Sequence, residues 1–186
     1  RRKGELSWND LEDMLSGFAY DAYYNHSAQS AKNYFLVWDY AINQGFAFGS
    51  GMGTNHHYGY QVRKIYTTAW LMRDAIWKAP NRDNILSALI FWSALQETRI
   101  PFQYGRDELL DSWHTLLMAK TVSALLFVDE RERARALAGL SRWLSGSLQY
   151  SPGTIGGIKV DGTTFHHGGF YPAYTTGVLA MVGQFI

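Results

Sequence analysis

Residues 6–24 read LSWNDLEDMLSGFAYDAYY and show the pattern that dominates the whole chain. Its apolar residues recur at spacings of three and four, through Trp8, Leu11 and Leu15, which places them on one face of an α-helix. Ser7 precedes this run, and serine is a preferred N-cap residue. The stretch therefore predicts an amphipathic helix that begins close to Ser7.

The same periodicity recurs along the rest of the chain. It predicts further helices, two of them with the N-caps Asn81 and Asp129, over residues 28–43, 60–78, 81–96, 107–127 and 130–148. Strand signals are weak, and neither a βαβ alternation nor a sequence repeat is present. Helices joined by short links predict an all-α array of antiparallel helical hairpins, for which a bundle, a solenoid and an α/α toroid all remain open.

Composition limits the classes of function. Seventeen basic and sixteen acidic residues give a formal net charge of +1, so the overall charge predicts neither nucleic-acid nor membrane-surface binding. The absence of cysteine excludes disulfides, thiolate zinc sites and cysteine nucleophiles. The length fits one domain, and the apolar residues 177–186 predict a helix that continues beyond them. We therefore expect residues 1–186 to be part of a single domain of a longer protein.

Aromatic residues make up 16% of the chain, and many of them stand beside polar residues. Amphipathic rings of this kind suit a sugar-binding cleft. A large helical core with tyrosine and tryptophan at its margins would also produce this composition. Both interpretations remain open at the level of sequence.

Two long, glycine-rich links interrupt the helical pattern, at residues 45–59 and 151–169. Long connections without regular structure are usually functional in a compact domain. The first link contains the pair His56-His57, the second contains His166-His167, and each leads into a helix. If alternate helix ends face the same side of the domain, the two links meet in one cleft.

The second link leads through Tyr171 and Pro172 into the last predicted helix. Proline is favoured at the first helical position, which places Tyr174 in the first turn, where the helix dipole favours a phenolate. Because an unperturbed tyrosine has a pKa of about 10, base chemistry near neutral pH requires such activation. In a second interpretation, Tyr171 and Tyr174 only pack against the start of the helix.

Other candidates are less specific. His114 is a possible cleft residue next to Trp113, whereas His26 is expected to be structural. Adjacent histidines do not share a helical face as His-x-x-x-His does, so a zinc site is disfavoured and metal ligands stay unknown. A glycoside hydrolase requires paired carboxylates, and no clear pair emerges from the acidic candidates Glu97, Asp107, Glu108, Asp111 and Asp161.

Two blocks of the sequence resemble the chondroitin ABC lyases, a subgroup of the polysaccharide lyases. The first block is His56-His-Tyr-Gly-Tyr60, and the second is His167-x-x-x-Tyr-Pro-x-Tyr174. Together with the helices between them, these blocks cover most of the chain. The resemblance implies an incomplete α/α toroid built from antiparallel helical hairpins, with residues 1–186 as part of a single catalytic domain.

Lyases of this group cleave by β-elimination at a uronic acid, which leaves a 4,5-unsaturated sugar. The resemblance implies that Tyr174 protonates the leaving oxygen and also acts as the base for glucuronate. It implies that His167 binds near the uronate carboxylate and assists proton removal, and that His57 is the base for iduronate. The residues expected to bind substrate are His56, His166, Tyr60, Trp113, His114 and Tyr171.

The resemblance also implies partners and setting. The expected substrates are chondroitin sulfate and dermatan sulfate, with hyaluronan as a further candidate, and the expected location is secreted or periplasmic in a bacterium. An arginine and a glutamate of the site are expected from the remainder of the same polypeptide. No cofactor is expected for bond cleavage, although Ca²⁺ or Mg²⁺ is expected to assist on dermatan sulfate. The alternatives are a noncatalytic carbohydrate-binding helical module and an α/α-barrel glycoside hydrolase.

Overall fold

A computed structural model describes residues 7–51, 55–105 and 108–185. Helices dominate this part of the chain, which confirms the all-α prediction. Its helices are α1 (Trp8–Tyr24), α2 (Ala28–Asn43), α3 (Asn55–Gly59), α4 (Arg63–Leu71), α5 (Arg73–Lys78), α6 (Arg82–Trp92), a 3₁₀-helix (Leu95–Arg99), α7 (Leu109–Asp111), a π-helix (Ser112–Leu116), α8 (Leu117–Leu125), α9 (Glu130–Ser147) and α10 (Pro172–Val182). None of these helices is long and apolar enough to cross a membrane.

Two of the predicted helix starts are capped as the sequence indicates. Ser7 accepts a hydrogen bond from the backbone N–H of Asp10, whose carboxylate accepts one from the backbone N–H of Ser7. Asp129 accepts hydrogen bonds from two backbone N–H groups in the first turn of α9, both at 2.9 Å. Asn81 precedes α6 but makes no capping hydrogen bond with its side chain.

Three of the predicted helices are each divided into shorter elements. The helix predicted over residues 60–78 separates into α4 and α5 at Met72. The helix predicted over residues 81–96 ends where Ala94 adopts the left-handed conformation, with φ of 55°, and a 3₁₀-helix follows. The helix predicted over residues 107–127 contains the π-helix between α7 and α8. Its predicted first residue, Asp107, lies outside the described residues. Apolar spacing continues across all of these breaks, so periodicity alone does not reveal them.

The helices pack as adjacent hairpins. Helix α1 packs against α2 and α4, and α8 packs against both α4 and α9. Among the described residues, one core cluster includes Trp38 and Trp92, and a second joins α7, the π-helix, α9 and α10 around Trp113. A fully buried lysine, Lys120 on α8, lies 5.5 Å from the centre of the Trp143 ring in the second cluster. Continuation of these hairpins into a toroid stays a prediction.

The aromatic residues divide between the core and the surface. Some rings fill the helical core, as one of the two interpretations of the composition expects. These buried rings include Tyr34, Tyr66, Trp38, Trp92 and Trp113. Other rings remain on the surface, among them Tyr60 and Tyr171. The aromatic richness therefore has two origins in the same domain.

The second glycine-rich link contains a small antiparallel sheet instead of being structureless. Its strands β1 (Gly157–Ile158), β2 (Thr164–His166) and β3 (Gly169–Phe170) are arranged in that order, with Phe165 opposite both Gly157 and Phe170. Lys159 holds the preceding loop, because its Nζ donates to Ser151 Oγ at 2.8 Å and to the carbonyl of Ile155 at 2.6 Å. Strands of two or three residues are too short to show an alternating pattern in sequence.

Candidate active site

The π-helix Ser112–Leu116 is the platform on which the two links meet. Helix α3 ends the first link and helix α10 follows the second. Both helices pack against the π-helix. The packing of α3 is close at Gly59, where a Cβ atom would lie 2.5 Å from the Cβ of Thr115. Only glycine allows this approach, and π-turns within helices are frequent at functional sites. The predicted convergence of the two links is therefore present in the structure.

Asp111, the residue before the π-helix, is the centre of the side-chain cluster, and it is only 8% exposed. The phenol of Tyr174 donates a hydrogen bond to its Oδ1 atom, and the phenol of Tyr60 donates to the same atom at 3.2 Å. Nε2 of His166 lies 3.4 Å from Oδ2. Side chains within or just after the two links thus meet at one buried carboxylate. The sequence offered Asp111 only as one of several acids, because its partners Tyr60 and Tyr174 are 51 and 63 residues away.

His114 lies between the two tyrosines that contact Asp111. Its ring is edge-on to the rings of Tyr60 and Tyr174, with both centroid distances at 5.5 Å, and its Nδ1 is 3.4 Å from the hydroxyl of Tyr60. Burial lowers the pKa of His114 below its ordinary value, and the positive charge of Arg63 lowers it further. His114 is therefore a neutral imidazole near pH 7.

Arg63 brings a positive charge to the same end of the first link. Its Nη2 donates to the carbonyl of His114 at 3.1 Å, and its guanidinium lies 5.7 Å from the centre of the Tyr60 ring. Arg63 thereby joins the start of α4 to the π-helix. It also partly offsets the negative charge of Asp111 at this end of the cluster.

The two histidines of the second link differ in exposure. His166 ends strand β2 and is 4% exposed, whereas His167 is exposed and has a φ of 51°. Successive residues of a strand normally point to opposite faces, but the left-handed turn at His167 brings the two ring centroids to 3.8 Å. His166 also stacks parallel to Tyr174, at a centroid distance of 5.4 Å. His166 therefore packs against Tyr174 in the interior, while the side chain of His167 is exposed at the surface.

Tyr174 occupies the predicted position. Helix α10 begins at Pro172, which places Tyr174 in its first turn. Burial raises the pKa of Tyr174 above its ordinary value, which opposes the phenolate that the helix dipole favours. A carboxylate acceptor, Asp111, also opposes a second negative charge at that position. The resting side chain is a protonated phenol that can donate its proton.

The remaining predicted site residues lie at different depths. Trp113 is 0% exposed and donates from Nε1 to Ser147 Oγ at 2.9 Å, which does not fit the predicted contact with substrate. Tyr171 is 44% exposed and meets the ring of His166 edge-on. His57 is exposed on α3. The side chain of His56 lies outside the described residues.

The cluster also offers metal-ligating atoms. Asp111, His166 and His167 each present one such atom, and these atoms lie within 4.8 Å of one another. Two imidazoles and one carboxylate suit zinc-like transition ions, whereas Ca²⁺ and Mg²⁺ prefer oxygen ligands. These three residues therefore do not fit the Ca²⁺ or Mg²⁺ expected for dermatan sulfate.

Comparison with known proteins identifies the family. A family model described as "Lyase, catalytic" matches residues 1–186. Chondroitin sulfate ABC exolyase of Bacteroides thetaiotaomicron is 34% identical over 150 residues, which cover 80% of this chain and 14% of that protein. Chondroitin sulfate ABC endolyase of Proteus vulgaris is 30% identical over 161 residues, covering 86% of this chain and 16% of that protein.

A further relative gives the same result. Chondroitin sulfate ABC exolyase of Proteus vulgaris is 33% identical over 147 residues, which cover 77% of this chain and 14% of that protein. The chain thus spans about one seventh of the length of the relatives that it matches. The resemblance carried by the two histidine-containing blocks is confirmed. The chain belongs to the family of lyase catalytic domains.

Proposed function

We propose that the protein carrying this chain is a polysaccharide lyase that cleaves chondroitin sulfate by β-elimination, with Tyr174 as the proton donor to the leaving oxygen. One observation carries the proposal: the phenol of Tyr174 is hydrogen-bonded to Asp111, a buried carboxylate that Tyr60 and His166 also contact. The names of three relatives support the substrate class. The assignment concerns the whole protein, of which this chain would supply part of the site.

The proposed chemistry needs one proton acceptor and one proton donor. Removal of the C5 proton of the uronate forms the C4=C5 double bond as the C4–O bond breaks, and the leaving oxygen takes up a proton. Burial raises the pKa of Tyr174, so its phenol keeps the proton until the leaving oxygen takes it up. We assign the acceptor role to His167, whose imidazole is exposed beside His166.

Asp111 is a positioning residue in this scheme. Its two carboxylate oxygens fix the phenol of Tyr174 and the imidazole of His166, which itself stacks on Tyr174. Fixing a proton donor before substrate arrives lowers the entropic part of the barrier. The carboxylate of Asp111 also opposes the uronate carboxylate, so positive groups must face the substrate. We propose that an arginine from elsewhere in the polypeptide joins Arg63 in that role.

The epimer specificity is a finer part of the proposal. The C5 proton of iduronate lies on the opposite face of the sugar from that of glucuronate, so its removal requires a second base. His57 is exposed on α3, and α3 packs against the π-helix, as α10 does. We assign His57 to iduronate, and therefore extend the proposed substrates to dermatan sulfate.

The test follows the double bond that only elimination produces. The full-length protein is incubated separately with chondroitin sulfate and dermatan sulfate, and the ultraviolet absorbance of the unsaturated uronate is recorded. We expect absorbance to rise on both polymers. New reducing ends without absorbance would indicate a glycoside hydrolase, and saturable binding without any cleavage would indicate a carbohydrate-binding module. Either result would overturn the proposal.

A further inference from the structure

A groove rich in arginine lies outside the Asp111 cluster, between the 3₁₀-helix Leu95–Arg99 and α9. Its volume is about 410 Å³. Neither Asp111 nor the residues that contact it line this groove, so it is separate from the candidate active site. We call it the arginine groove, and its lining includes the apolar residues Ile90, Leu95 and Phe127 and the basic residues Arg99, Arg135 and Arg142.

The walls of the arginine groove are fixed by close packing. A Cβ atom at Gly139 of α9 would lie 2.9 Å from the carbonyl oxygen of Thr98, so the two helices approach as closely as glycine permits. Thr98 is buried and donates its hydroxyl to the carbonyl of Leu95 at 2.8 Å. Lys120 on α8 donates to the carbonyl of Ser93, close to the start of the 3₁₀-helix, at 2.9 Å. The contact between the 3₁₀-helix and α9 along the groove is therefore closely packed.

The charge in the arginine groove is unbalanced. Three arginines line it together with a single acidic residue, Glu132, which pairs with Arg135 at 2.6 Å. Within residues 7–51, 55–105 and 108–185, no carboxylate pairs with Arg99 or Arg142. The whole chain carries a formal net charge of only +1, so this is a local concentration of positive charge. Two guanidinium groups are thus available to an anionic ligand.

We propose that the arginine groove binds an anionic stretch of polysaccharide outside the catalytic cluster, through the sulfate or carboxylate groups of the chain. Guanidinium groups bind such oxyanions through paired hydrogen bonds. Arg135 and Arg142 are seven residues apart on α9, which separates them by about 10 Å along one face of the helix. The apolar floor can pack against the C–H face of a sugar ring. The nature of this ligand rests on the proposed function.

The first test measures binding in the absence of cleavage. Full-length protein carrying Tyr174→Phe is titrated with fluorescently labelled chondroitin sulfate, with and without the additional changes Arg99→Ala and Arg142→Ala. We expect the two arginine changes to weaken binding about threefold to tenfold at low salt, and to reduce the dependence of binding on salt. Unchanged binding would overturn the proposal.

The matched control removes the same charge elsewhere. Arg82→Ala with Arg131→Ala changes two arginines that line a different groove, formed by α6 and the start of α9. We expect this control to bind nearly as tightly as the parent. An equal loss in the control would show that only total charge matters, and would also overturn the proposal.

A kinetic comparison separates this inference from the proposed function. In protein with Tyr174 intact, Arg99→Ala with Arg142→Ala should raise KM for the long polymer but leave the cleavage of a tetrasaccharide unchanged, because the proposal assigns the groove to a stretch of polysaccharide outside the Asp111 cluster. Loss of tetrasaccharide cleavage would place these arginines in the active site instead. If no unsaturated product forms from any substrate but the binding difference persists, the proposed function fails and the anion-binding groove stands.

Discussion

The two glycine-rich links contain the same dipeptide, His-His, in different backbone settings. His57 lies on the single turn of α3, exposed to solvent. His166 ends a strand and is buried against Asp111 and Tyr174, while the left-handed backbone of His167 returns its ring beside that of His166. The dipeptide alone therefore does not determine the environment of the imidazoles. Backbone conformation makes one pair a compact cluster and presents the other histidine on a surface helix.

The difference suggests a division of labour between the links. Helix α10, which follows the second link, contains Tyr174, the proposed proton donor for any β-elimination at this site. The first link contains His57, the base proposed for iduronate alone. Substitutions in and around the two links test this division.

Tyr174→Phe removes the proposed proton donor and keeps the ring that stacks on His166. We expect kcat on both chondroitin sulfate and dermatan sulfate to fall by about 10³-fold, with substrate binding largely kept, because proton transfer contributes on this scale. The measurement is steady-state absorbance kinetics on each polymer. Normal turnover in this variant would rule out Tyr174 as the donor.

His57→Ala removes the exposed imidazole of the first link. We expect a loss of about 10²-fold in kcat/KM on dermatan sulfate and a much smaller loss on chondroitin sulfate. His26→Ala, another exposed histidine, is the matched control and should leave both activities unchanged. Equal losses on the two polymers would remove the proposed distinction between the links.

Asp111→Asn keeps the shape of the positioning residue and removes its charge. We expect kcat to fall about tenfold, because the phenol of Tyr174 is held less firmly. A neutral acceptor opposes the phenolate less than a carboxylate does, so the pKa of Tyr174 should fall and activity should be lost at a lower alkaline pH. A full pH–rate profile checks this shift, with Asp74→Asn as an exposed control. If the alkaline limb of the pH–rate profile did not move, the proposed effect of Asp111 on Tyr174 would be contradicted.

Gly59→Ala tests the packing of the first link on the π-helix. A Cβ atom there would overlap Thr115, so we expect the free energy of unfolding to fall by about 1–3 kcal/mol. Gly177→Ala is the control on α10, where the space around the glycine is open, and it should stabilise the protein by up to about 1 kcal/mol. Denaturant unfolding measures both variants. Equal stability of the two variants would mean that the contact between α3 and the π-helix does not constrain the first link.

The sequence predicts those parts of the molecule that depend on local chemistry. Ser7 and Asp129 are caps, and Pro172 opens α10, because each feature depends on residues within a few positions of it. The left-handed turn at Ala94 and the small sheet leave no such local signal. Asp111 could not be singled out, since its hydrogen-bond donors are far away in sequence. The burial that raises the pKa of Tyr174 likewise depends on tertiary packing, which no local pattern reveals.

The π-helix has a consequence for aligning this chain with other proteins. A π-turn accommodates one residue more than an α-helical turn, so a homologue with a regular α-helix here would be one residue shorter. An alignment without a gap at Ser112–Leu116 would then compare His114 with the wrong neighbour, displaced by about 100° around the helix. The residues before the turn, including Asp111, would align correctly in one register. The residues after it would align correctly only in a register shifted by one residue. A single-residue gap at this position is therefore structural information about the site.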